Sequence, residues 1–243
     1  MFIENDPFRE ILDDPNVPFE RRSDLLLKLD YLNTKFGVYS NFLENFENNF
    51  SDLIGSKRKI SVLEVGSGLA GLSRELQKKK KNSNIEVELN LFDSQSDILK
   101  FSQDVLKKNG ISSEIILASE KQLEVFNDNE FDFVISLHVI HHIRPISNAV
   151  EAINQMLRVA KKGVQLNDFH RKPGSVALFK LWNQFFGISK DLSEDGVKSM
   201  QRAYDPMELS TMIQNKSYYN KLPGQFKTSI VNPYWEFVAK KSI

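Results

Sequence analysis

The spacing of apolar residues divides the chain into a helical preface, a core of alternating strands and helices, and a second helical stretch. Leu25, Leu26, Leu29, Leu32, Phe36, Phe42, Phe46 and Leu53 recur at three- and four-residue steps, which predicts helix over about residues 6–53. Strand-like apolar runs follow at 60–65, 87–92, 114–118, 131–137 and 163–169, most of them separated by helical patterns. Strands and helices alternating at these lengths imply a mostly parallel sheet covered on both faces.

End signals agree with the periodicity. Ser96 and Asp97 open one helix and Asn109-Gly110 closes it; Pro145 sits near the start of another, which is expected to end at Lys161-Lys162-Gly163. Residues 173–214 read as further helices, and 226–231 and 234–239 as two closing strands joined at Asn232-Pro233. With no internal repeat and no low-complexity linker, the expectation is one α/β domain over 1–243. Its parts are a helical extension (1–58), a ligand-binding core (59–170), a helical lid (171–216) and closing strands (217–243). The sheet is expected to be doubly wound and seven-stranded, mostly parallel, with an antiparallel C-terminal strand.

Composition narrows the function. Lys plus Arg and Asp plus Glu each total 32, so no overall charge draws the chain to nucleic acid or anionic lipid. The one dense basic run, Lys78 to Lys81, reads as a solvated helix end complementing the macrodipole. The chain has no cysteine, which removes disulfides, thiolate metal sites and cysteine nucleophiles. Its start is acidic where a signal peptide needs basic residues, and no stretch approaches the roughly 18 apolar residues of a membrane span. A soluble cytoplasmic protein is the expectation.

The most informative segment is Glu64-Val65-Gly66-Ser67-Gly68-Leu69-Ala70-Gly71, where a buried strand runs through three glycines into a helix. Such a loop turns tightly and admits a ligand against the helix N-terminus, so an adenosine-like group is expected there. The glycine spacing alone is shared with nicotinamide and flavin enzymes. Asp93, ending the second strand before Ser94, offers a carboxylate to the two hydroxyls of a ribose. Glu64 separates the cofactor readings: a carboxylate two residues before the first glycine attracts a cationic amino acid moiety and repels a pyrophosphate. A strand-end hydrogen bond is its plainer role.

Leu63-Glu64-Val65-Gly66-Ser67-Gly68 resembles the first motif of class I S-adenosylmethionine-dependent methyltransferases. The run from Phe131 to His142 resembles the fourth-strand motif of the ubiquinone/menaquinone biosynthesis methyltransferases, and Leu157 to Gly163 the turn into their fifth strand. A bacterial subgroup of these enzymes is similar to this chain at Leu29 to Gly37, Asn167 to Arg171, and Ser199 to Tyr204 before Glu208-Leu209. The resemblance implies a Rossmann-like fold with S-adenosylmethionine as cofactor. The expected contacts are Glu64, Gly66, Ser67, Gly68, Gly71, Asp93, Ser94 and Leu137. The family commonly has an acidic residue directly after the third strand; here Ala118 is followed by Ser119 and then Glu120, and either of those two is left to contact adenine.

The sulfonium is an activated donor, so the protein must mainly align an acceptor and exclude water; a base helps where the acceptor must lose a proton. The four histidines fall near strand ends. His138, His142 and His170 are the candidate catalytic groups, with His138 preferred because related enzymes place residues facing the donor methyl there, and His141 lies beside them. Asp168 and Arg171 are expected to bind a polar group of the acceptor, to hold His170, or to form an ion pair. His138 and His142 have helical spacing, but no nearby acidic residue completes a ligand set, so no metal is expected. Phe179, Leu181, Trp182, Phe185 and Phe186 form either an apolar lid over the acceptor or a core stripe. Methyl transfer to oxygen or carbon of a small molecule is the leading reading. A nicotinamide-dependent oxidoreductase would leave Glu64 unexplained, and a non-catalytic cofactor-binding domain is the third possibility.

Overall fold

A short 3-10 turn at Ile11–Asp13 and two helices, α1 (Phe19–Lys35) and α2 (Val38–Ile54), precede the first strand in the computed structural model. Residues 9–55, 59–80, 85–111, 114–117, 123–215, 224–228 and 234–241 are described. Five strands then alternate with helices: β1 (Lys59–Val65), α3 (Gly71–Lys80), β2 (Glu86–Asp93), α4 (Ser96–Lys108), β3 (Glu114–Leu117), β4 (Phe131–Leu137), α5 (Ile146–Val159) and β5 (Ala160–Phe169). Helices α6 (Ser175–Phe185), α7 (Lys190–Arg202) and α8 (Pro206–Asn215) lead to β6 (Gly224–Thr228) and β7 (Tyr234–Lys240).

The strand order is β3-β2-β1-β4-β5-β7-β6. β1 to β5 are mutually parallel, β7 runs antiparallel to β5, and β6 antiparallel to β7. The chain winds outward from β1 to β3 and returns to β4 on the other side of β1, which opens a crevice at the carboxyl ends of these strands. Register aligns those ends: Val65 pairs with Phe92 on one side and Ser136 on the other.

Period-two alternation sends successive side chains to opposite faces. Val62, Phe133 and Ile135 join α2 and α3 on one face, whereas Leu63, Val134 and Val164 join α5 on the other. Helix α2 buries Tyr39, Phe42, Leu43, Phe46, Phe50 and Ile54 at helical spacing, and Phe46 and Phe50 meet Phe133 at ring separations of 5.3 and 5.1 Å. The N-terminal preface is therefore one wall of the core.

Two expected boundaries shift. Helix α5 ends at Val159, and Lys161-Lys162-Gly163 lie within β5, where Lys161 faces solvent and Lys162 is buried. The Lys162 ammonium donates to the Leu53 carbonyl at 3.1 Å and lies 3.7 Å from Asp132, so a strand accommodates this lysine by pairing it inside. The helices after β5 also differ from an apolar lid. On α6, Leu178, Leu181 and Phe185 are exposed, while Trp182 and Phe186 pack edge-on against Phe36 of the first helical pair. Ala118 and the joint at Asn232-Pro233 lie outside the described residues. No described helix is long and apolar enough to cross a membrane.

Candidate active site

The glycine loop is built by the end of β1. Gly66 has a φ of +67°, a region open to glycine at little cost, and the Gly66 and Ser67 amides both donate to the Phe92 carbonyl, at 2.7 and 3.2 Å. A Cβ at Gly66 would lie 2.3 Å from Val139 Cγ2, so the loop is also pressed against the segment following β4. The Ser67 hydroxyl is buried with no hydrogen-bond partner among the described residues.

A cavity of about 360 Å3 opens beside this loop. Glu64, Gly66, Ser67, Gly68, Gly71, Asp93, Ser94, Leu137, His138 and His142 all line it, so the crevice collects most of the residues singled out in the sequence. His170 is not among the lining residues, and Ser119 and Glu120 lie outside the described residues. The cover over the crevice comes from the N-terminal side, through Leu12, Asp13, Leu26, Leu29, Asp30, Asn33 and Tyr39. None of the lining residues belongs to α6, α7 or α8; Trp182 of α6 and Phe186 just past it meet Phe36 instead.

Both acidic cofactor candidates are held by backbone amides. Glu64 Oε2 accepts from the Ser73 amide at 3.0 Å in the first turn of α3, and burial pushes its pKa up to about 7. Asp93 accepts from the Gly68 amide through Oδ2 and from the Gln95 amide through Oδ1, both at 3.0 Å; burial also raises its pKa. Asp93 thus braces the glycine loop as well as facing the cavity.

Sequence reasoning overlooked a polar group on the cavity wall. The Tyr39 hydroxyl donates to Asp30 Oδ1 at 3.0 Å and accepts from Asn33 Nδ2 at 3.4 Å, and the Arg74 guanidinium also pairs with Asp30. Burial and the neighbouring Asp30 charge keep the Tyr39 phenol firmly protonated. The available signal was the three-residue spacing of Asp30 and Asn33, which places them on one helix face with Leu26 and Leu29.

The histidines separate into distinct environments. His138 occupies the left-handed region at φ +57°, uncommon for a residue with a Cβ, and its amide donates to the Asn167 carbonyl at 2.8 Å. Its ring stacks on Phe169 at 4.5 Å and Tyr234 at 5.0 Å, and burial lowers its pKa to about 4. The imidazole is therefore neutral near pH 7, with Nε2 lacking a hydrogen-bond partner among the described residues. His142 is the reverse case: against the effect of burial, the Asp13 and Glu10 carboxylates raise its pKa to about 9. Held protonated by Asp13 at 2.7 Å, it has no free base to offer.

Asp168 does not hold His170. Its carboxylate accepts the His141 amide at 2.9 Å and meets His141 Nδ1 at 2.6 Å. Arg171 lies 4.0 Å from Glu208, an exposed pair. Burial and the Lys172 charge lower the pKa of His170. The acidic partners missing from the sequence reading of a metal site are supplied by the N-terminal segment: Glu10, His141 and His142 offer atoms within 4.8 Å of one another.

Residues 63–166, which contain the glycine loop, Asp93 and the β4 end, match the methyltransferase domain family. Over these residues, under half of the chain, the sequence is similar to a methyltransferase domain. The donor set fits the S-adenosylmethionine expected from the sequence: a buried Ser67 hydroxyl with no hydrogen-bond partner among the described residues, the carboxylates of Glu64 and Asp93, and open space at Gly68, where a Cβ would meet only Leu26 Cδ2 at 3.9 Å. The chain is similar to part of probable polyketide synthase 6 from Dictyostelium discoideum, at 27% identity over 175 residues, covering 64% of this chain and 6% of that protein. It spans a small fraction of the curated relatives it matches. Among solved structures it resembles the plantazolicin methyltransferase BamL, in complex with a triazolic desmethylPZN analog and SAH, with a TM-score of 0.66 and 12% identity over 91% of both chains. It also resembles the DszA carbon methyltransferase, with a TM-score of 0.52 and 15% identity over 82% of this chain and 51% of that one. At these identities the structural likeness speaks to the fold.

Proposed function

We propose that the methyltransferase domain acts on a small-molecule acceptor, at carbon or oxygen with carbon favoured, as one catalytic unit spanning 1–243. The observation that carries this reading is the crevice at the β1 and β4 ends, which gathers the glycine loop, two buried carboxylates and a neutral imidazole. When bound, S-adenosylmethionine supplies a methyl group already activated by its sulfonium, so no protein nucleophile is required.

In this proposal Glu64 balances the cationic end of the cofactor, Asp93 and Ser67 hold polar groups of its nucleoside, and Leu137 and Ser94 complete the wall. His138 meets the acceptor. Its stacked, neutral ring accepts a hydrogen bond from an acceptor O–H or an acidified C–H and orients the atom that takes the methyl group. The low pKa makes it a weak base, suited to acceptors acidified by neighbouring carbonyls. The carbon preference draws support from a carbon methyltransferase and polyketide synthases being among the similar proteins. Kinship with the ubiquinone/menaquinone biosynthesis group is a further part of the proposal, resting on the β4 motif.

The test combines calorimetric titration with S-adenosylmethionine, S-adenosylhomocysteine and NADH with methyl transfer to β-ketoacyl thioesters, phenols and quinols. Binding of the first two alone, with label on carbon of a β-ketoacyl acceptor, is the expected result. Tight cofactor binding without transfer to any acceptor would instead favour a non-catalytic domain.

A further inference from the structure

Beneath the crevice, a buried cluster ties the N-terminal segment to the end of β4. Glu10 Oε2 accepts from the Ser199 hydroxyl at 2.7 Å, which fixes the carboxylate and leaves Oε1 facing His141 Nε2 at 3.6 Å and His142 Nδ1 at 3.7 Å. Neither Glu10 Oε1 nor His141 Nε2 has a hydrogen-bond partner among the described residues, and the two residues are only 4% and 1% exposed. The two buried atoms face each other without a hydrogen bond, and Glu10 Oε1 has the longer 3.6 Å ion pair with Arg202 beside it, an arrangement that is costly unless something lies between them.

We propose that Glu10, His141 and His142 bind one divalent transition-metal ion of the zinc class. Separations of 3.6 and 3.7 Å are too long for hydrogen bonds, but N and O ligands at about 2.0–2.1 Å on a tetrahedral ion stand about 3.3 Å apart, which small rotations supply. The Asp168 carboxylate at 2.6 Å from His141 Nδ1 fixes the tautomer that turns the Nε2 lone pair toward Glu10, the usual outer partner of a metal-binding histidine. Asp13, now 2.7 Å from His142 Nδ1, supplies a fourth oxygen once that contact yields.

Charge counting points the same way. Among the described residues, the groups in direct contact are the three carboxylates of Glu10, Asp13 and Asp168 and one permanent cation, Arg202, which lies 2.7 Å from Asp13 and 3.6 Å from Glu10. With both imidazoles neutral the cluster lacks two positive charges, which one divalent ion restores. The proton held on His142 by Asp13 is the competing occupant, so metal uptake releases it. The bound ion would staple the segment carrying Leu12 and Asp13 over the crevice. This proposal does not depend on the acceptor or on the methyl-transfer reading.

The full chain, freed of metal with a chelator, is titrated with Zn2+ by calorimetry and with Co2+ by visible absorption. One ion per chain, the intense bands of tetrahedral Co2+, and imidazole scattering in X-ray absorption of the Zn2+ form are expected. Glu10→Gln should weaken Zn2+ binding at least tenfold and Asp168→Asn about 10–100-fold, with a cooperative urea unfolding transition in each variant reporting that it is folded. No saturable binding to the wild-type chain, no imidazole scattering, or undiminished affinity in folded Glu10→Gln would overturn the proposal. The X-ray absorption result decides the matter on the wild-type chain alone if the variants do not fold.

Discussion

Tyr39 occupies the space that any side chain at position 71 would need: a Cβ on Gly71 would lie 2.2 Å from Tyr39 Cζ and 2.4 Å from its hydroxyl oxygen. The third glycine of the loop thus serves a contact between α3 and α2, and the ring it admits is itself held by Asp30 and Asn33 on the cavity wall. Gly71→Ala is expected to force these helices apart, costing about 1–3 kcal/mol as overpacking does. It should weaken S-adenosylmethionine binding along with stability. A urea midpoint and a cofactor affinity both equal to wild type would contradict this account.

Glu64 makes cofactor binding depend on pH. Burial raises its pKa from 4.5 to about 7, so the native state keeps a proton through that window which the unfolded chain has released. Its contribution to stability is therefore fully present below the unfolded value and is lost as pH rises through 7. A cationic ligand favours the ionised form and binds more tightly as pH rises. Affinity for S-adenosylmethionine should thus increase from pH 6 to 8 by about tenfold, and Glu64→Gln should flatten the dependence. Calorimetry across that range would show it; a wild-type profile as flat as that of the variant would remove Glu64 from the cationic subsite.

The strand runs and the glycine loop were legible in the sequence because both are local. Alternation along β4 and the Gly66-Ser67-Gly68 turn depend on neighbours within a few residues. What escaped depends on contacts far apart in the chain. Glu10 and Asp13 meet His141 and His142 across about 130 residues, and no local pattern announces that pairing. Asp168 and His170 are two apart, which on a continuing strand would put them on one face, but β5 ends at Phe169, and the partner of Asp168 is His141. The apolar residues from Phe179 to Phe186 read as a lid or as a core stripe, since periodicity identifies an apolar face without naming what it meets.

Asp93 has two roles that substitution can separate. Each carboxylate oxygen accepts a backbone amide at 3.0 Å, from Gly68 and from Gln95. Asp93→Asn would turn an NH2 toward one of those amides, and an unsatisfied buried donor costs about 1–3 kcal/mol. If the carboxylate also holds the ribose, cofactor affinity should fall about tenfold or more, beyond what a loosened loop explains. Comparing S-adenosylhomocysteine with a 2′,3′-dideoxy analogue in wild type and variant isolates the ribose contribution. Equal losses for both ligands would leave Asp93 as a brace for the glycine loop alone.

His138 has the most distinctive signature. Its folded pKa of about 4 lies below the ordinary 6.5, so the unfolded chain takes up a proton between those values while the native protein does not. Stability should decline as pH falls through that window, by up to about 3 kcal/mol from this group. His138→Phe keeps a flat ring between Phe169 and Tyr234 and removes both nitrogens. That variant should lose this part of the acid sensitivity, bind S-adenosylmethionine normally, and transfer methyl groups about 100-fold more slowly if the imidazole accepts the acceptor's proton. Because the wild-type ring is already neutral, kcat should be flat between pH 5.5 and 8 wherever the ring alone sets the profile. A profile rising with an ordinary histidine pKa near 6.5, or full turnover in His138→Phe, would move the proton-accepting role away from this residue and leave alignment as the protein's main contribution.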